Sequence, residues 1–116
     1  MYLCLGLRPT VSPTQFDEDD LAFAAQLGVE HVQIRTEKLI TRERGNVLHA
    51  EDLETIVRQL EAFGLKLAVV LLPQGRGSQY WNARLGRPAR EQEVRDVCET
   101  LRVIADFGVP VVEWTW

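Results

Sequence analysis

One unit constrains this chain more than any other: an amphipathic helix, a single glycine, then a β-branched strand. It occurs three times. Ala25-Gln26-Leu27-Gly28-Val29 leads into His31-Val32-Gln33-Ile34-Arg35. Glu61-Ala62-Phe63-Gly64-Leu65 leads into Lys66-Leu67-Ala68-Val69-Val70-Leu71-Leu72. Ala105-Asp106-Phe107-Gly108-Val109 leads into residues 110–116. The glycines stand 36 and 44 residues apart. Glycine stops a helix because, without a Cβ, it enters the left-handed turn at little cost. Internal repetition of helix and strand predicts βαβ units, a parallel sheet and right-handed crossovers.

Read in order, residues 2–7 form a first strand, followed by the loop Arg8-Pro9-Thr10-Val11-Ser12-Pro13. Ser12 and Pro13 with Gln15 suit a helix start, and Asp17-Glu18-Asp19-Asp20 lies near its positive end. That acidic run lacks the spacing of a calcium loop. Phe16, Leu21, Phe23, Ala24, Ala25 and Leu27 supply an apolar face, and a strand ends at Arg35. After a polar connection over 36–50, a helix over 51–63 carries the stripe Leu53, Ile56, Val57, Leu60 and Phe63. The run 65–72 suits a strand covered on both faces. A long loop follows from 73 to 88. A helix over 90–107 then places Val94, Val97, Cys98, Leu101, Ile104 and Ala105 at steps of three and four. The final strand is expected over 109–116.

Length and composition narrow the class. At 116 residues the chain is one domain or part of one, here a single partial domain over 1–116. No apolar run is long enough for a membrane span, and the first residues carry no signal-peptide pattern. Cys4 and Cys98 are expected to be buried thiols. His31 is expected at a strand start, and His49 as a capping or exposed residue. These histidines and cysteines have no metal-site spacing, so no metal is expected on this chain. A cytoplasmic location is the default expectation. The net charge of −4 disfavours nucleic acid as a partner.

The connections are asymmetric. Each helix-to-strand link is little more than one glycine, whereas the links after the second and third strands are long. In parallel α/β folds the loops after strands carry the chemistry. That rim is basic. Arg8, Arg35, Lys38, Arg42, Arg44, Arg76, Arg84, Arg87 and Arg90 are nine of the thirteen Lys and Arg residues, and 73–90 contains no Asp or Glu. A basic rim on an acidic chain suits a small carboxylate or phosphate, which the planar guanidinium recognises as a fork.

The order β-α-β-α-β-α-β is half of an eight-stranded (β/α) barrel, which takes roughly 250 residues. A small doubly wound sheet is the alternative. It would call for a Gly-x-Gly loop after the first strand, and Gly6-Leu7-Arg8-Pro9 lacks one.

Three stretches carry a family resemblance. They are Asp19-Asp20-Leu21-Ala22-Phe23-Ala24-Ala25-Gln26-Leu27-Gly28-Val29, Gly45-Asn46-Val47-Leu48-His49-Ala50-Glu51-Asp52-Leu53, and Leu85-Gly86-Arg87-Pro88-Ala89-Arg90-Glu91-Gln92-Glu93 continuing to Val111. They resemble the N-terminal half of mannonate dehydratase-like proteins in the xylose-isomerase-like barrel superfamily. The resemblance implies a hydro-lyase that removes water from a sugar acid in hexuronate (glucuronate) catabolism. It implies a divalent metal, manganese or iron, for the intact protein, with ligands on later strands and none bound by this chain. Two positions depart from the family. Val70 or a neighbouring aliphatic stands where a Glu is frequent, and Trp114-Thr115-Trp116 stands where Asn is frequent between aromatics.

The expected partner is a small anionic sugar acid. Arg8, Arg35, Gln74, Trp114 and Trp116, at strand ends, are the candidate substrate contacts; the catalytic residues are expected in a later half, and the 116-residue chain alone is expected to be inactive. A sugar or sugar-phosphate isomerase or epimerase on the same barrel is the alternative activity. A non-enzymatic half-barrel remnant is the alternative of another class. Unpaired edges of the first and last strands predict self-association through the sheet.

Overall fold

The computed structural model describes residues 2–115. Its strands are β1 (Cys4–Leu7), β2 (His31–Arg35), β3 (Lys66–Leu71) and β4 (Val111–Glu113). All pair in parallel, in the order β1-β2-β3-β4. Helices α1 (Glu18–Gln26) and α2 (Ala50–Ala62) fill the first two crossovers. The third holds the single turn α3 (Trp81–Arg84) and the long α4 (Arg90–Asp106). A doubly wound sheet reverses strand order at a switch point. This sheet runs in sequential order without a reversal, which is the arrangement of a half (β/α) barrel.

The repeated glycines do what the sequence requires of them. Gly28, Gly64 and Gly108 all take the left-handed conformation, with φ of 74°, 73° and 71°. The Gly64 amide donates to the Glu61 carbonyl and the Leu65 amide to the Leu60 carbonyl. The Gly108 and Val109 amides repeat the pattern onto Ala105 and Ile104. These bonds satisfy the last helical carbonyls and turn the chain directly into a strand.

Helix α1 starts later than the Ser12-Pro13 pattern predicts. Ser12 instead forms a tight turn with Gln15, and the Asp17 side chain caps the helix by accepting the Asp19 amide at 2.8 Å. The intervening Phe16 is buried, and its amide donates to Gln59 Oε1 on α2 at 3.0 Å. Phe23 and Leu27 were expected on the apolar face of α1 but are exposed; Leu21 and Ala24 are the buried pair.

One core lies between the sheet and the helices. Val32 and Ile34 of β2 and Val70 of β3 meet Leu21, Ala24, Leu53, Ile56, Leu60 and Ile104 there. The polar connection after β2 also contributes, burying Thr36, Leu39, Ile40 and Leu48. Thr36 closes this segment onto β3, its hydroxyl donating to the Leu71 carbonyl at 2.8 Å.

Helix α4 departs most from expectation. Its buried residues are Glu93, Asp96, Thr100 and Ile104, whereas Val94, Cys98 and Leu101 face outward. The reason is a polar network that belongs to the fold. Glu93 accepts from Asn82 Nδ2 and the Ala83 amide, both at 2.8 Å, and fixes α3. Asp96 accepts from Asn46 and Gln92. The Thr100 hydroxyl accepts from the Leu48 amide at 3.1 Å and from Gln79 Nε2 at 2.8 Å. Buried backbone groups of both long loops need partners, and α4 supplies them. Both cysteines are exposed rather than buried. Partial burial on β1 still raises the Cys4 thiol above its ordinary pKa.

Strand β4 is shorter than the predicted 109–116. Pro110 has no amide hydrogen, and only Val111, Val112 and Glu113 register with β3. After them Thr115 turns to Tyr80, whose hydroxyl donates to its carbonyl at 2.5 Å. Among the described residues no helix is long and apolar enough to cross a membrane.

Candidate functional site

Alternation along β2 separates two chemistries. Val32 and Ile34 point to the helices and are fully buried, while His31, Gln33 and Arg35 point to the other face. The register carries this polar face across the sheet. Gly6 pairs with Gln33, and Arg35 pairs with Leu71, which pairs with Glu113. Gln33 Nε2 donates to Glu113 Oε2 at 2.5 Å, bridging from β2 to β4 over the face of β3.

Two clefts open beside this strip. Gly6, Leu7, Arg8, Gln33 and Arg35 line one of about 240 Å³. Arg8, Pro9, Pro13, Arg35, Glu37 and Lys38 line another of about 240 Å³. The two share Arg8 and Arg35. Arg35 lies 3.6 Å from Glu37, with both side chains nearly half exposed, so its guanidinium keeps access to solvent and to an incoming anion. An ideal Cβ at Gly6 would sit 3.6 Å from Gln33 Oε1, an ordinary contact. Glycine therefore keeps the cleft open without being sterically obligatory. The site offers two guanidinium forks, the Lys38 ammonium, the Gln33 amide and the carboxylates of Glu37 and Glu113. Guanidinium groups in general pair with small carboxylates, and amide and carboxylate side chains hydrogen-bond hydroxyl groups.

Of the five residues predicted from sequence, Arg8 and Arg35 come together in these clefts. Gln74 is exposed ahead of a short 3₁₀ turn (Gly75–Gly77) and lines neither cleft. Trp114 lies with Leu72, Tyr80, Val112 and α4 on the helix-facing side, edge-on to the Tyr80 ring at 5.9 Å. Trp116 lies outside the described residues. The sequence reading passed over Gln33 and Glu113. The available signal was strand alternation: Gln33 shares a face with Arg35, and Glu113 is opposite in sense to Trp114.

Three residues of the basic rim have structural partners. Arg44 pairs with Asp52 at 2.6 Å and donates to the Leu39 carbonyl at 2.9 Å. Arg42 lies 3.8 Å from Glu93, and Arg84 stacks over the Trp81 ring at 5.7 Å. His49 precedes α2, its ring Nε2 2.8 Å from the Arg44 carbonyl oxygen, and His31 begins β2 and stacks on Tyr2 at 3.8 Å. No three His, Cys, Asp or Glu side chains converge among the described residues. The carboxylate on the polar strip, Glu113, is already held by Gln33. These residues do not fit the divalent metal that the family resemblance implies.

A solved structure shares this fold. The chain superposes on mannonate dehydratase from Streptococcus suis serotype 2 with a TM-score of 0.74. Sequence identity is 17%, and the match covers 98% of this chain but 30% of that one. At this identity the likeness is one of fold, and the chain spans less than a third of the longer protein's length. No protein-family model and no curated protein matches the sequence.

Proposed function

We propose that this chain is the N-terminal segment of a (β/α) barrel that acts on a sugar acid, as in a mannonate dehydratase-like hydro-lyase, and that its share of the work is to anchor the substrate. The observation that carries the reading is the convergence of Arg8 and Arg35 with Gly6 and Gln33 at the carboxyl ends of parallel strands. Ligands of open parallel α/β sheets and barrels bind at that end. Two guanidinium groups suit the substrate carboxylate, and Gln33 with Glu113 suits its hydroxyl groups. The acid–base groups and the metal chemistry of dehydration belong to later strands in this reading. The 116-residue chain by itself binds weakly and does not turn over.

Titration of the ¹⁵N-labelled chain with D-mannonate, beside the uncharged polyol D-mannitol, tests the proposal. Mannonate is expected to shift the signals of Arg8, Gln33 and Arg35, and mannitol to leave them unmoved. Arg8→Met and Arg35→Met should each abolish the shifts while preserving the rest of the spectrum. No shift with mannonate, or equal shifts in both variants, would remove the anchor role.

A further inference from the structure

We propose, resting on the sugar-acid reading of this same site, that the substrate carries a second anionic group at the far end of its carbon chain and that Lys38 receives it. The Arg8–Arg35 pair lines two clefts rather than one. The inner cleft is completed by the strand residues Gly6, Leu7 and Gln33. The outer cleft is completed by Pro9 and Pro13 from the segment after β1 and by Glu37 and Lys38 from the segment after β2. Each measures about 240 Å³. A small-molecule site ordinarily takes about 300–1,000 Å³, so a ligand of that kind occupies both clefts.

The charges give the chemistry of the outer end. Arg8, Arg35 and Lys38 line the two clefts, against one carboxylate, that of Glu37. Glu37 lies 3.6 Å from Arg35. Among the described residues no carboxylate pairs with Arg8 or Lys38. A guanidinium carries five N–H donors, and a carboxylate bound side-on takes two of them. One carboxylate at the arginine pair therefore leaves the Lys38 cation and several donors unanswered. With the first carboxylate and its neighbouring hydroxyl groups on the Gln33 side, the chain runs out past the arginines, and its far end meets Lys38. An ammonium with three rotatable donors serves a terminal carboxylate or a terminal phosphate there.

Both walls of the outer cleft are held in place by the fold. The Leu39 and Ile40 amides donate to the Thr36 carbonyl at 3.0 and 2.9 Å, and Thr36 is tied to β3 through the Leu71 carbonyl. Leu39 and Ile40 are buried, so the backbone of Lys38 is fixed while its side chain stays exposed. On the opposite wall Pro9 and Pro13 have restricted φ, and the Val11 and Ser12 amides both donate to the Gln15 carbonyl, at 3.1 and 3.4 Å. A cleft shaped before its ligand arrives spends less of the binding energy on ordering.

Titration of the ¹⁵N-labelled 116-residue chain with D-mannonate, with D-mannarate (a carboxylate at both ends) and with D-mannonate 6-phosphate tests the inference. Both dianions should bind at least about tenfold more tightly than mannonate and should shift the Lys38 signal further than mannonate does. The larger of the two gains tells whether the outer cleft prefers carboxylate or phosphate. Lys38→Met should bring both dianions down to the affinity of mannonate in the same variant. Lys66→Met, which removes the same charge at the start of β3, should keep the gain. If mannonate shifts Arg8 and Arg35 but the dianions bind no more tightly, the second-anion inference is overturned and the anchor reading stands. A gain that survives Lys38→Met, or that Lys66→Met removes equally, overturns it as well. If none of the three ligands shifts Arg8 or Arg35, both readings fall.

Discussion

Helices α2 and α4 look alike on paper and are used in opposite ways. Each carries an apolar stripe at helical spacing beside a charged face. Helix α2 turns its stripe inward, and Leu53, Ile56 and Leu60 are fully buried against the sheet. Helix α4 turns its stripe outward and buries Glu93, Asp96 and Thr100. The difference lies in what each helix packs against. Helix α2 meets the aliphatic side of β3, where apolar burial is the main stabilising term. Helix α4 meets two long loops, whose Leu48 and Ala83 amides and Asn46, Gln79 and Asn82 side chains donate to it. An amphipathic pattern therefore tells where two faces are, and the neighbours decide which one is covered.

Core truncation in α2 is expected to break this comparison most sharply. Ile56→Ala or Leu60→Ala should cost about 2–5 kcal/mol, because each removes buried methyl groups and leaves a cavity. Leu101→Ala on α4, at an exposed position, should stay within about 0.5 kcal/mol when measured on the monomer. Urea unfolding followed by circular dichroism, at concentrations low enough to exclude association, measures both. Equal losses in the two helices would show that the α4 stripe is part of the folded core.

Thr100→Val comes next, since it keeps shape and removes the hydroxyl that serves Leu48 and Gln79. A loss of about 1–3 kcal/mol is expected, the cost of leaving buried donors without an acceptor. A neutral outcome would mean that the two loops find other partners. Glu93→Ala should cost about 1–2 kcal/mol and act locally, since Glu93 ties the α3 turn to α4 through Asn82 and Ala83. Hydrogen exchange should then quicken in α3 with little change in α2.

The smallest effect concerns Cys4. Partial burial raises its thiol pKa, so less of the reactive thiolate is present at a given pH than in an ordinary cysteine. Its alkylation rate at neutral pH should fall below that of a free cysteine and should still climb where the free thiol has levelled. An ordinary titration, followed by mass spectrometry of the Cys98→Ser protein, would remove this point.

The site shows the same division as the two helices. Arg8 and Arg35 could be named from sequence because a residue just past an apolar strand run has one place to go, the carboxyl end of the sheet. Gln33 and Glu113 became partners only through register, since 80 residues separate them and β3 lies between. Trp114 was drawn to the candidate site by its position in the chain, and the turn toward Tyr80 places it on the helix side. Arg42 and Arg44 shared the composition of an anion-binding rim, but Glu93 and Asp52 engage them.

By itself the sequence determined the alternation of strand and helix, the left-handed glycine stops and hence a parallel sheet. Those features are local: a missing Cβ, a period of 3.6 or of 2, and a short link act within a few residues. Tertiary structure alone decided which face of α4 is covered, which arginines remain open to solvent, and that an amide on β2 meets a carboxylate on β4. Each of these depends on which distant backbone groups need a partner once water is excluded, and no window along the chain contains both members of such a pair.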